Sequence, residues 1–318
     1  MRILILTDID GWAMDTIADG LIPIIKREMS CDVIKMKAGT VNIKNSYKDF
    51  DIMYIMIPSF IPDDLEDYSK IRTTFHGGLA VSNQADTIMA EKFVGKIPKI
   101  SYVSEQVKRR VESSKIKDLM YTPYGVDIKK FSGTTLSAQQ LNDKIIAGWA
   151  GWAFYLMGKQ ESQRRCSWIM RSQQELQYQL RIAGGSPEYP RGVEIFNEVF
   201  PHINCESYSK VQIRDFYKKI NLYLVSDVFA GGPIPVLEAG ASGIPVITTP
   251  CGLCELFIED NRTGLIVNSY KEFCNAIKRL SKDPNKRRRL GENLKDNIRA
   301  KRSWNSVFKY WREFLFDE

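Results

Sequence analysis

The chain opens on an unbroken apolar run, Ile3-Leu4-Ile5-Leu6, cut off by Asp8 and Asp10. A short continuous run of this kind fits a strand buried on both faces. The pattern then alternates. Asp15–Glu28 carries apolar residues at helical spacing, while Cys31–Met36, Asp51–Ile57, Arg72–Phe75, Ile100–Ser104 and Leu119–Thr122 read as strands. Helices are predicted between them over Ala85–Phe93 and Glu105–Ser113. A polar stretch, Ser132–Asp143, separates this series from a second one that begins in the same way. Its strands are predicted at Ile145–Ala150, Gln179–Ala183, Ile203–Glu206, Leu222–Val225, Pro245–Thr249 and Leu265–Val267. Its helices are predicted over Glu161–Gln177, Val211–Ile220, a segment starting near Pro235, Tyr270–Leu280 and Lys286–Ala300. Strands alternating with helices imply parallel βαβ units. The expectation is therefore an α/β protein of two doubly wound domains, residues 1–143 and 144–302, facing each other across a cleft. Ligands gather at the carboxyl ends of such strands. A last helix, around Ser303–Phe316, is rich in aromatic residues and is expected to pack back across the domains toward the first.

With 44% hydrophobic and 26% charged residues, the chain reads as an ordinary soluble globular protein. No stretch reaches the ~18 uninterrupted apolar residues of a membrane span. The opening run resembles the core of a signal peptide but is too short and ends in carboxylates, so a buried strand is the better reading. Six cysteines at irregular spacing do not suggest a disulfide framework, and a cytoplasmic location, with the inner membrane face as a peripheral station, is expected. Cations and carboxylates balance over residues 1–143, so the net charge of +7 lies in the second half. That half suits an anionic ligand, a nucleic acid or an acidic membrane surface, and equally a solvated surface bias. Its densest part, Lys282–Arg302, holds nine basic and three acidic residues. Membrane-surface or nucleic-acid contact through these C-terminal helices stands beside the plainer reading of a solvated amphipathic face.

Chemistry concentrates in Phe229-Ala230-Gly231-Gly232-Pro233-Ile234-Pro235-Val236-Leu237-Glu238. A strand ends, a glycine-rich loop follows, and a helix begins. Gly231 and Gly232 let the backbone approach a ligand closely and adopt φ > 0. The helix start presents free N–H groups and a positive dipole end to an anion. Pro233 and Pro235 stiffen the entry, and each removes a possible donor. Glu238, about one turn into the helix, offers a carboxylate to vicinal hydroxyls; a glutamate that merely favours the helix N-terminus is the plainer alternative.

This segment resembles the donor-binding signature of the retaining glycosyltransferase family 4. The signature is a Glu, seven residues, a second Glu, Ala, two small or apolar residues, Gly, then an apolar-Pro-Val-apolar strand. The resemblance continues through Thr248-Thr249-Pro250-Cys251-Gly252, Glu255, and Glu259-Asp260-Asn261-Arg262-Thr263-Gly264-Leu265-Ile266-Val267. Upstream, Thr74-Phe75-His76 resembles the family's histidine at the cleft, and Pro123-Tyr124-Gly125-Val126-Asp127 with Phe131 resembles the stretch closing the first domain. Ser303-Trp304 matches the Trp that opens the last helix. The match runs in order from about residue 70 to the end of the chain. It implies a GT-B fold of two Rossmann-like domains, sugar transfer with retention from a nucleotide-diphosphate sugar, and a ribose-binding role for Glu238. The donor is then a co-substrate, with no cofactor and no metal.

Several positions depart from the family. Its first Glu falls on Ala230, which leaves Asp227 as the nearest substitute carboxylate. Its diphosphate-binding Arg and Lys read here as Gly151-Trp152 with Lys159 later. The loop Asp10-Gly11-Trp12 is shorter than the family's glycine loop over the donor. On the resemblance, His76, Lys159 and Asp227 are the candidate catalytic residues. Gly151, Trp152, Gly231, Gly232, Pro233, Ile234, Val236 and Glu238 are the candidate donor-binding residues, and Asp10, Gly11 and Trp12 the cleft loop.

Other features carry less. His202 has no supporting context and reads as scaffold. Cys251-Gly-Leu-Cys254 has redox or zinc-like spacing, but a single CxxC reads as incidental. Asp8 and Asp10, at the end of the first strand, could line the cleft. Trp149, Trp152 and Trp168 read as core before base-stacking platforms. The implied mechanism stabilises the leaving phosphate with Lys159, the Gly231–Val236 loop and the helix start. The acceptor is open: a glycan, lipid or small molecule, or a modified base in DNA. A non-catalytic nucleotide-sugar-binding protein is the reading from another class.

Overall fold

The computed structural model describes residues 1–77, 83–112, 116, 118–132, 144–159 and 161–317, with backbone alone for 83–87. The polar connector lies, beyond Ser132, outside the described residues. The chain forms two compact units, residues 1–125 with 302–318, and residues 126–301. The change of unit therefore falls before the polar connector, because the turn Ile128–Phe131 packs in the second unit, where Phe131 meets Tyr217 edge-on at 5.7 Å.

The first unit is built on a parallel sheet of β1 (Arg2–Thr7), β2 (Asp32–Lys37), β3 (Ile52–Ile55), β4 (Ile71–Phe75), β5 (Lys99–Tyr102) and β6 (Leu119–Tyr121), ordered β2-β1-β3-β4-β5-β6. The apolar run of β1 is fully buried from Ile3 to Leu6, as both-face burial of a parallel strand requires. Beneath β3 to β6, buried hydroxyls join in a row: Tyr54 donates to Thr74 Oγ1 at 2.8 Å, Thr74 and Ser101 share a 2.6 Å bond, and Thr122 donates to Ser101 at 2.8 Å. The last helix, Trp304–Leu315, belongs to this unit. Trp304 occupies space that only glycines leave: a Cβ at Gly20 would stand 2.0 Å from its Nε1, and one at Gly125 2.6 Å from its Cδ2. Trp311, fully buried, donates its indole N–H to Pro123 O at 2.8 Å and packs edge-on against Tyr54.

The second unit repeats the plan with β7 (Ile146–Ala150), β8 (Gln179–Gly185), β9 (Asn204–Ser207), β10 (Leu222–Leu224), β11 (Val246–Thr248) and β12 (Leu265–Ile266), all parallel and ordered β12-β11-β10-β7-β8-β9. Both sheets reverse direction of growth beside their first strand, between β1 and β3 and between β7 and β10. At such points the loops part and leave a crevice at the carboxyl ends.

One predicted helix comes out differently, and one helix was not predicted. The continuous helix over Glu161–Gln177 is two, Glu161–Arg164 and Ser167–Leu176, with Arg165 between them at φ 45°. The carbonyls that would continue it are taken elsewhere. Gln163 O accepts the N–H groups of Val228 and Phe229 at 2.7 and 3.2 Å, and Arg164 O accepts the Ser226 hydroxyl at 3.1 Å. A further helix, Arg191–Val199, was not anticipated; Gly192 at its second position weakens the local signal.

Candidate functional site

In the second unit the loops after β7 and β10 meet at the crevice where the strand order reverses. The Tyr223 hydroxyl, on β10, accepts the Ala150 N–H at 3.0 Å and so fixes the end of β7. Gly151 and Trp152 follow directly. The β10 loop runs from Val225 to Pro233 and enters the helix Ile234–Ala241. Within it Ile234 keeps an N–H that no helical carbonyl reaches, while Pro233 and Pro235 have none. Val236 donates its N–H to Pro233 O at 2.9 Å.

Gly231 and Gly232 do not take φ > 0. The positive-φ glycine of this region is Gly252, at 54°, where a Cβ would lie 2.1 Å from Ala230 O and 2.9 Å from Gly231 O. The loop is shaped by a close approach of two backbones, and the residue that must be glycine for it lies on the partner strand's loop. Beside it, Cys251 and Cys254 are buried free thiols joined by a side-chain hydrogen bond.

Two carboxylates flank the entry. Glu238 is 7% exposed, and its Oε2 accepts the Tyr217 hydroxyl at 2.8 Å. Burial pushes its pKa up to about 6, against the opposing pull of that hydrogen bond and of the Lys130 charge. Asp227 is equally buried but differently held. Its carboxylate accepts Arg164 Nη1–H at 3.0 Å, and its carbonyl accepts the Thr249 hydroxyl. Burial raises the Asp227 carboxyl and the guanidinium draws it back, while Asp227 sustains the charge that burial would take from Arg164.

The cations and aromatic rings form one chain. Lys159, exposed, lies over the Trp152 ring at 4.2 Å; Trp152 meets Tyr155 edge-on at 5.6 Å; Arg164 lies over Tyr155 at 4.9 Å. Arg164 is the candidate site residue that sequence reasoning missed. It sits within a stretch read as one helix, and only the break at Arg165 turns it to the loop. Arg164 lies twelve residues downstream of Trp152.

In the first unit His76 leaves the carboxyl end of β4. Its Nδ1 is 2.6 Å from the Tyr124 hydroxyl, and burial pushes its pKa down to about 3 while the Met56 carbonyl opposes the shift. The short loop after β1 is tied to its own helix. Gly11, at φ 80°, donates its N–H to Asp15 Oδ2 at 2.7 Å; Asp15, 1% exposed, is paired with Lys35 at 2.5 Å; and Asp10 is paired with Lys37 at 2.6 Å. Trp12 precedes the helix Ala13–Met29 as its N-cap. Asp8 has a buried Oδ1 without a hydrogen-bond partner among the described residues, and burial raises its pKa.

The basic run of the C-terminal helices divides into inner and outer cations. Arg287 is fully buried and donates to Leu280 O at 2.5 Å, Lys286 donates to Asn261 Oδ1 at 3.2 Å, and Arg302 donates to the Tyr121 hydroxyl at 3.2 Å, whereas Arg288, Arg289 and Arg299 are exposed. Among the described residues no helix is long and apolar enough to cross a membrane, and no group of three or more His, Cys, Asp or Glu is placed to hold a metal.

Residues 169–297 match the family model of glycosyl transferases group 1. No curated protein sequence matches the chain. Among solved structures it is similar to a sucrose-phosphate synthase from Thermosynechococcus elongatus, with a TM-score of 0.73 at 16% identity over 100% of both chains. It is similar also to a glycosyltransferase from Rickettsia africae, with a TM-score of 0.70 at 16% identity over 100% of this chain and 99% of that one. Anabaena HepE in complex with UDP and glucose gives a TM-score of 0.69 at 11% identity over 98% and 97% of the two chains. The chain thus has the GT-B glycosyltransferase fold, and the stretch of its second unit over residues 169–297 is similar to the glycosyl transferases group 1 model.

Proposed function

We propose that the protein is a nucleotide-sugar-dependent glycosyltransferase whose second unit binds the donor. The diphosphate lies at the Gly231–Ile234 entry and the ribose hydroxyls at Glu238. The observation that carries this reading is the meeting of a buried carboxylate, a half-buried arginine and a helix start at the reversal point of one parallel sheet. HepE, similar in fold, has been solved with UDP-glucose, which supports a nucleotide sugar as the ligand class.

Breaking the bond between sugar and diphosphate builds negative charge on the leaving phosphate. Arg164 and the N–H groups of Gly231, Gly232 and Ile234 oppose that charge, with Lys159 on the Trp152 face as a second cation. Preorganised donors of this kind commonly lower a barrier by several kcal/mol. These cations take the charge-neutralising part that a metal plays elsewhere, so the reaction in this reading is metal-independent. Transfer proceeds with retention, as the resemblance around Glu238 implies.

In this reading Asp227, whose Oδ2 accepts Arg164 Nη1–H, serves as the counter-charge of Arg164 and does not replace the missing sugar-binding carboxylate. Ala230, 5% exposed, leaves the sugar pocket without an acceptor at that point. The transferred hexose or pentose therefore differs from common hexoses at the hydroxyl a glutamate would hold, since an unpaired buried hydroxyl is disfavoured. A thermal-shift screen over nucleotide sugars, followed by donor hydrolysis with the best binder, tests the reading. Stabilisation by one nucleotide sugar above its free nucleotide, with slow hydrolysis, is expected. Binding without hydrolysis or transfer would favour a non-catalytic binder, and no binding to any member would remove the reading.

A further inference from the structure

The helices Tyr270–Lys282 and Pro284–Arg302 meet at a corner of the second unit, with Asp283 between them. Cations converge there. Lys286 and Arg289 lie one turn apart on the second helix, and Arg279 stands on the last turn of the first. Lys286 is 8% exposed, and its Nζ donates to Asn261 Oδ1 at 3.2 Å. The other N–H groups of that ammonium have no partner among the described residues. Arg279 and Arg289 are exposed, and neither side chain forms an ion pair or a hydrogen bond among the described residues.

The carboxylates of the corner are committed to N–H groups. Asp283 Oδ1 accepts the Lys286 backbone N–H at 2.8 Å and so closes the start of the helix. Asp260 Oδ1 accepts the Ile266 N–H at 2.9 Å, and its Oδ2 accepts the Asn261 side-chain N–H at 2.7 Å. Burial first, then the Arg279 and Arg289 charges, push the Lys286 pKa down against the pull of Asp283 and Asp260. A surface lysine ordinarily keeps its ammonium in water. This one is drawn in among arginines, where like charges repel, and a bound anion removes that repulsion.

The corner is far from the donor entry. Asn261 precedes β12, and Tyr270–Lys282 runs back from the carboxyl end of that strand for 13 residues, about 20 Å of helix. The cations therefore stand at the amino ends of the strands, whereas the loop after β10 is at the carboxyl ends. Within residues 271–302 no large apolar side chain is exposed, so neither base stacking nor insertion into a bilayer has a platform here.

We propose that Arg279, Lys286 and Arg289 form an oxyanion site for a phosphate monoester, separate from the donor entry. Lys286 supplies the point charge at its base, and the guanidinium groups take the outer oxygens. The phosphate is held and not transferred, so no bond is made or broken. Free phosphate and a phosphate-monoester lipid headgroup offer the same chemistry. The site does not rest on the transferase reading.

The test is a titration of inorganic phosphate into 15N-labelled protein at constant ionic strength, with chloride as the control. Backbone amides of residues 260–262 and 283–289 are expected to shift saturably. Lys286→Met is expected to weaken that affinity about tenfold. Arg279→Gln and Arg289→Gln, on exposed side chains, should each weaken it severalfold, and they decide the matter if Lys286→Met does not fold. Phosphate at the Gly231–Ile234 entry shifts a different set of amides, unchanged in these variants, so the fate of the transferase reading shows separately. Co-sedimentation with phosphatidylcholine vesicles, with and without phosphatidic acid, distinguishes the sources. Binding that needs phosphatidic acid and is lost in the arginine variants assigns the lipid headgroup. Saturable phosphate binding without vesicle binding assigns the free anion. No saturable shift, equal shifts with chloride, or variant affinities equal to wild type would overturn the proposal.

Discussion

Each unit of the molecule holds one ionisable candidate site residue on a buried tyrosine: His76 on Tyr124 in the first, Glu238 on Tyr217 in the second. Burial disfavours the charged form of both. It pushes His76 down to about 3 and Glu238 up to about 6, and the outcomes differ at neutral pH. His76 is far from titrating and stays neutral. Glu238, with the Lys130 charge to help, is still mostly ionised and serves as a charged acceptor. Similar burial and the same kind of partner thus leave one side chain neutral and the other charged, and what separates them is the intrinsic pKa and one nearby cation.

The largest effect expected is at the second carboxylate of the donor unit. Arg164→Ala leaves Asp227 buried without its counter-charge. The loss should be near the lower end of the ~3–5 kcal/mol typical of broken buried pairs, because the Arg164 side chain is 25% exposed. Chemical denaturation measures it, and Arg164→Ala, Asp227→Asn should recover part of the loss. Donor turnover should fall further in Arg164→Ala than in Lys159→Ala; the reverse order would place the diphosphate at Lys159.

Glu238 next predicts a pH dependence. Nucleotide-sugar affinity should decline as pH falls through about 6, where the carboxylate protonates, and the decline should vanish in Glu238→Gln. The stability linkage runs the other way. A raised folded-state pKa gives stability that is fully present below the ordinary 4.5 and lost as pH rises through about 6. His76, lowered from 6.5 to about 3, removes stability as pH falls through that window. The two slopes can be separated by comparing wild type, Glu238→Gln and His76→Gln in denaturant at several pH values.

The smallest effect belongs to Tyr217→Phe. Removing one buried hydrogen bond to a carboxylate costs about 1.5–3 kcal/mol at most, reduced here because protonation relieves the bared charge. Its signature is an upward move of the pH at which donor affinity declines. An unmoved midpoint would mean that Tyr217 does not tune Glu238.

Most of the fold was legible because its signals are local. All twelve strands among the described residues overlap segments predicted as strands, and β1 was readable from Ile3–Leu6 alone. What was not legible depends on distant residues. The break at Arg165 exists because Val228 and Phe229, more than sixty residues on, take the Gln163 carbonyl, and no helical periodicity records that. Arg164 was missed for the same reason. Glu238 was found through its place in the signature, whereas the Tyr217 hydroxyl that holds it comes from a different βα unit. The freedom assigned to Gly231 and Gly232 belongs to Gly252, because a requirement for glycine depends on which backbone passes nearby.

The central claim, that Glu238 binds the donor's hydroxyls, is tested most directly by calorimetric titration of the screened nucleotide sugar into wild type and Glu238→Ala, each shown to be folded. The account predicts a loss of about 1.5–3 kcal/mol of affinity, with a change in melting temperature too small to explain it. Equal affinity in the two proteins would contradict the account and move the donor away from the Ile234–Ala241 helix.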